Sequence, residues 1–143
     1  MTESAPGGFA KDPAERGRTS IADGVVEKIA GLAAREVAGV HAMGSGSGLS
    51  RTFGAVRDRV PGGSKSAVSR GVKAEVGEVQ TALDLEIVVD YGVSIRDVAR
   101  AVRENVISAV ERMTGLEVVE VNIAVSDVKL PDEEDEEPES RLQ

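Results

Sequence analysis

Between Asp84 and Val128 the chain spells strand, helix, strand with almost no slack, and no other stretch constrains the fold as much. Leu83, Leu85, Ile87 and Val89 alternate with Asp84, Glu86 and Asp90, the period of two expected of a strand with one face in a core. Gly92 breaks that strand. Ser94 then stands where an N-cap belongs, with Asp97 three residues on as in a capping box. Ile95, Val98, Ala99, Val102, Val106, Val110 and Met113 fall on one face of the helix that follows. Gly115 stops it, and Val119, Val121, Ile123 and Val125 alternate again. The unit has a core but no catalytic set. Its polar positions are Arg, Glu, Asp and Asn, spaced as a solvent face.

The first helix is less emphatic. Ser20 reads as its N-cap, with Asp23 three residues later. Ala22, Val25, Val26, Ile29, Ala33 and Val37 make its apolar stripe, and Gly39 ends it before a short strand, Val40 to Met43. Gly24 and Gly31 each cost about 1 kcal/mol of helicity relative to Ala, so packing has to hold this helix. Val72, Ala74 and Val76 predict a further strand, joined through Gly77-Glu78 to the long one as a hairpin. Ser20-Ile21-Ala22-Asp23 echoes Ser94-Ile95-Arg96-Asp97; recurrent capping chemistry explains this more simply than a duplicated helix-strand unit.

The pattern predicts an α+β fold in the order α-β-β-β-α-β. Two helices lie on one face of a mixed, mostly antiparallel sheet, a two-layer sandwich. The last strand follows a crossover and runs parallel to the long one. Residues 18–129 form the domain. Residues 1–17, polar and carrying Pro6, Gly7, Gly8 and Pro13, are expected to be a disordered lead-in. Residues 130–143 are expected to form a disordered acidic tail, because the run from Asp132 to Glu139 repels itself. Within the domain, residues 44–70 read as a long mobile loop. Leu49, Phe53, Val56 and Val60 could form one amphipathic turn there.

Composition removes several functional classes. The chain has no cysteine, so disulfides, thiolate metal sites and cysteine nucleophiles are excluded. Aromatic residues make up 2%, too few for a base-stacking platform. The net charge of -8 opposes nonspecific nucleic-acid binding by the whole molecule. No run approaches the roughly 18 apolar residues of a membrane span. The lead-in lacks the apolar centre of a secretory signal. A cytoplasmic protein is expected.

Gly17 through Ile21 leading into Ile29-Ala30, Glu36-Val37-Ala38-Gly39-Val40 and Gly71-Val72 form the first part of an ordered set. Val88 through Ile95, Met113-Thr114-Gly115-Leu116 and Val119 to Val125 complete it. Together they resemble the alkaline shock, or envelope stress response, family of Gram-positive bacteria. The likeness spans residues 17–128 apart from the mid-chain loop. The loop and acidic tail look like those of actinobacterial members. The resemblance implies a small cytoplasmic α+β protein that is not an enzyme and needs no cofactor or small-molecule substrate. It also implies a protein that self-assembles as a homo-oligomer in envelope stress. Some members sit at the inner face of the cell membrane through a membrane-anchored partner protein. The family offers no catalytic motif to carry over.

Candidate sites read as follows. Arg51, Arg57, Arg59, Lys65 and Arg70 stand against one acid, Asp58, in the loop, a possible contact for anionic lipid or nucleic acid. Gly63-Ser64-Lys65-Ser66 has the wrong order for a phosphate-binding loop. His41 has no carboxylate neighbour in sequence and reads as an edge histidine. The acidic tail lacks the ligand spacing and turn glycine of a calcium loop. Asp84, Glu86 and Asp90 alternate with core residues and are expected to face solvent. No catalytic or metal set emerges.

Overall fold

The computed structural model describes residues 12–44 and 69–133. The expected disorder of residues 1–11 and 134–143, and the expected mobility and amphipathic turn of residues 45–68, lie outside the described residues. Residues 12–17 carry one 3-10 turn, Pro13–Glu15, with no buried residue.

Six elements follow: α1 (Asp23–Arg35), β1 (Val40–Met43), β2 (Val72–Val76), β3 (Gln80–Asp90), α2 (Ile95–Thr114) and β4 (Glu117–Lys129). The expected α+β order is the observed one. β3 is the centre of the sheet. β4 runs parallel to it from Gln80 to Asp90. On the other edge β2 pairs antiparallel with Thr81 to Leu85, and β1 pairs antiparallel with Ile87 to Val89. β1 and β2 therefore lie end to end along one edge of β3. The break falls at Glu86, whose carbonyl accepts from Gly44 N–H at 2.7 Å and whose N–H donates to Gly71 O at 2.8 Å.

Both helices cover one face. The core joins Val26, Ala30 and Ala34 of α1, Leu83, Leu85, Ile87 and Val89 of β3, Val98, Val102, Val106 and Val110 of α2, and Val118 and Val121 of β4. α2 owes its limits to local chemistry. Ser94 Oγ accepts from Asp97 N–H at 3.4 Å, and Gly115, at φ +77°, closes the last turn in a left-handed conformation that suits glycine.

The structure corrects several expectations. α1 starts at Asp23 with Ala22 in the cap position, so Ser20 is not its N-cap, and it ends at Arg35 rather than Gly39. The likeness between the two helix starts thus stops at the sequence. Val25 is 48% exposed, and Ile95 and Met113 stand outside the core. Val26 and Ala33 of the expected stripe are buried, and the inner face of α1 is completed by Ala30, Gly31 and Ala34, with Glu27 buried among them. Small residues there let the helix approach the sheet closely. Glu86 does not face solvent: it is 5% exposed. The reason is Gly44, at which a Cβ would lie 2.5 Å from Glu86 Cγ, so the start of the long loop covers this carboxylate.

Candidate interaction surfaces

A sheet edge presents unpaired N–H and C=O groups, and this molecule treats its two edges alike. On the β2 edge, α1 supplies acceptors. Glu27 Oε2 takes Ala74 N–H at 3.1 Å and Asp23 Oδ1 takes Val76 N–H at 3.3 Å. The two carboxylates are four residues apart, one turn of the helix, and the two amides are two apart, one repeat of the strand. Sequence reading missed Glu27 altogether. The only signal was an acid falling beside the apolar stripe.

The β4 edge is guarded at its ends. Strand residues direct N–H and C=O alternately to either side, and two bulges in β4, at Val119 and Ser126, reset the count. Val118, Val121, Ile123, Val125, Val128 and Leu130 consequently face away from β3. Of these, Val118 N–H donates to Glu111 Oε2 at 3.0 Å, Val128 N–H to Asp127 Oδ1 at 2.8 Å and Leu130 N–H to Glu133 Oε1 at 3.1 Å. Arg103 Nε donates to Val121 O at 3.2 Å. The amides of Val121, Ile123 and Val125 meet no acceptor among the described residues. They form a short open window in a strand of 13 residues.

The outer sheet face is polar over its upper half. Asn122 Nδ2 donates to Asp84 Oδ1 at 3.0 Å and to Glu120 Oε2 at 2.6 Å. Lys73 lies opposite Asp84. Val88 and Ala124 stand lower on the same face. Between the helices, Ile29, Leu32, Ala33, Ala109 and Met113 line an open groove of about 450 Å³, rimmed by Lys28, Glu36 and Arg112. A second cleft of about 640 Å³ lies where Arg18 to Ile21, the Gly77 turn and Gly115 meet. Neither gathers a nucleophile with a base.

Of the five basic loop residues, Arg70 alone is described, exposed beside buried Ser69. Arg51, Arg57, Arg59 and Lys65 lie outside the described residues. His41, which has no carboxylate neighbour in sequence, gains one in space. Its Nδ1 is 3.6 Å from Asp90 Oδ1, brought there by the pairing of β1 with β3. Among the described residues no three His, Cys, Asp or Glu side chains gather as metal ligands, and no helix is long and apolar enough to cross a membrane.

The sequence profile described as "Asp23 family, cell envelope-related function" matches residues 11–130, the whole of the fold just described. The chain belongs to the Asp23 family. Among relatives, a stress response regulator gls24 homolog of Streptococcus pyogenes serotype M3 is 36% identical over 131 residues, 90% of this chain and 69% of the relative. The uncharacterized protein YqhY of Bacillus subtilis is 36% identical over 111 residues, 76% of this chain and 75% of the relative. The uncharacterized protein Spy1614 of Streptococcus pyogenes is 27% identical over 114 residues, 80% of this chain and 89% of the relative. No solved structure matches. These relatives are Streptococcus and Bacillus proteins, not actinobacterial ones. The family description is of a cell-envelope-related function, and the Streptococcus pyogenes serotype M3 relative is by name a homolog of a stress response regulator.

Proposed function

We propose that this Asp23-family protein acts without turnover, as a cytoplasmic scaffold that self-associates and holds protein partners in the envelope stress response. A membrane-anchored partner would keep it at the inner face of the cell membrane. The observation that carries the reading is the open window of β4. Unpaired amides in the middle of a long β-branched edge strand are a template for pairing with another chain. The outer sheet face serves less well, because Asn122, Asp84 and Glu120 already bond one another across it.

Sedimentation over a concentration series tests the reading. Mass should rise with concentration. Val125→Pro, which removes an outward N–H and leaves an edge position that tolerates proline, should return the protein to monomer. A monomeric mass throughout would reject self-association by this edge. Recovery of the protein from membrane fractions then tests the anchor.

A second reading draws on charge segregation. Arg51, Arg57, Arg59, Lys65 and Arg70 cluster in one loop of an acidic chain, as a weak contact for anionic lipid or nucleic acid would. Salt-sensitive binding to acidic vesicles or to DNA at low ionic strength would favour it.

A further inference from the structure

α1 carries two apolar faces, and the core uses one of them. Val26, Ala30 and Ala34 of the inner face are fully buried. Val25, Ile29 and Leu32, at i, i+4 and i+7, make a second stripe. Val25 is 48% exposed and Leu32 54%, so the one leucine of this helix points away from the sheet. α2 answers with Met113, 66% exposed. The two helices run antiparallel. Asp23 and Glu111 both reach strand amides at the Thr81 end of the sheet, while Gly39, just past α1, packs against Val98 near the start of α2. Leu32 and Met113 stand as the walls of the groove of about 450 Å³, over a floor of Ile29, Ala33 and Ala109.

Shape and charge together choose the occupant. A groove floored by small residues takes a ridge of side chains, as packed helices do, whereas a flat lipid surface leaves it unfilled. Val25 and Leu32 are seven positions apart, about 10.5 Å along α1, so about two turns of a partner helix fit beside them. The rim is basic. Lys28 and Arg35 stand at i-4 and i+3 from Leu32, on one side of it, and Arg112 borders the groove from α2. All three are exposed, and none has an ion-pair partner among the described residues. The acid lining the groove, Glu36, already accepts from Asn105 Nδ2 at 3.4 Å. A second copy docked by this same face would set three cations against three, with one engaged acid on each side. Like charges opposed across an interface cost affinity. A helix with acidic flanks meets no such cost.

We infer that the groove between α1 and α2 docks an amphipathic helix of another protein, with an apolar ridge at i, i+3 or i+4 and i+7 and acidic residues along both flanks. The ridge fills the groove between Leu32 and Met113. Its acids pair with Lys28 and Arg35 on one side and with Arg112 on the other. The inference rests on the scaffold reading in taking a protein as partner, but it uses the helix face and leaves the β4 edge free.

The probe is a fluorescein-labelled helical peptide of about 18 residues, with leucine at the ridge positions and glutamate on both flanks. Its control keeps the leucines and replaces each glutamate by glutamine. Anisotropy is read with the full chain at about 0.15 M salt, where a Debye length of about 8 Å confines the comparison to nearby charges. The glutamate peptide should bind about fivefold tighter than its control. Lys28→Gln, Arg35→Gln and Arg112→Gln together should remove that advantage. Leu32→Ser with Met113→Ser should weaken both peptides about tenfold or more. These five side chains are exposed, so the circular dichroism of the variants should match that of the parent. Val125→Pro should leave the affinity as it is, which separates this test from that of the β4 edge. No binding, equal binding of the two peptides, or binding that survives Leu32→Ser with Met113→Ser would overturn the inference. So would a parent mass that rises with concentration and stays monomeric in Leu32→Ser with Met113→Ser, which would make the occupant a second copy. Loss of binding to phosphatidylglycerol vesicles in that variant, with no peptide bound by the parent, would overturn it in favour of a lipid surface.

Discussion

Glu27 offers the sharpest test of how this fold closes its edges. It is 1% exposed and accepts the N–H of Ala74, itself buried, at 3.1 Å. In Glu27→Ala the charge-assisted bond is lost, a term of about 1.5–3 kcal/mol that includes leaving a buried N–H unsatisfied. The one methylene removed adds about 1 kcal/mol of lost burial. The sum is about 3 kcal/mol. In Glu27→Gln a carbonyl oxygen of the same reach remains and only the charge assistance goes, about 1 kcal/mol. For a domain of this size 1 kcal/mol moves Tm by about 5 °C, so Ala should lower Tm by about 15 °C and Gln by about 5 °C. Thermal unfolding by circular dichroism gives the ranking, and amide exchange at Ala74 gives the local effect. If Gln proved as damaging as Ala, Glu27 would be acting as a charge and not as an acceptor for β2. If neither moved Tm, the edge would be held by packing alone.

Three further outcomes follow from the packing. Val106 is fully buried beneath the sheet, so Val106→Asp should cost about 3–5 kcal/mol in chemical denaturation; an unchanged midpoint would refute the helix register. Gly44→Ala would press a methyl against Glu86 Cγ and Oε2 and should cost about 1–3 kcal/mol. Adding Glu86→Ala should recover most of that, and a double-mutant cycle without coupling would deny the contact. Asn105 Nδ2 donates to Ala33 O at 2.7 Å and Glu36 Oε1 at 3.4 Å, satisfying a carbonyl of the last turn of α1. Asn105→Ala should cost about 1 kcal/mol, read as a Tm drop of about 5 °C.

What could be read from the sequence was whatever depends on near neighbours. The period of two in β3 and the 3.6-residue stripe Val98, Val102, Val106, Val110 are set within a few residues, and both stand in the structure as expected. Glu86 and Glu27 were misjudged or missed for the opposite reason. Their burial is decided by Gly44 and by β2, each more than 40 positions away, and alternation cannot see such cover. Ser20 fooled the eye because a serine with an acid three residues on is a local signal, while the start of α1 is fixed by where Asp23 meets Val76. His41 and Asp90 are brought together by strand pairing, which sequence spacing does not encode. The five basic residues were grouped by composition alone, and only Arg70 falls where the fold can be described.

The end-to-end placement of β1 and β2 makes Glu86 a port in the molecule. Gly44 and Gly71 both bond its backbone, and a Cβ at Gly71 would lie 3.2 Å from Gly44 N, so the chain between them leaves and returns at one spot. Loop closure grows only slowly with length, about 0.6 kcal/mol per doubling. The 26 intervening positions can therefore be shortened, extended or exchanged for a reporter domain at small cost to the fold. Cutting the chain there would yield two pieces, one bearing α1 and β1 and the other bearing β2 to β4 with α2. Each would present to the other the apolar faces that meet in the intact core, so the pair could serve as a split protein whose reassembly reports that two fused partners have met.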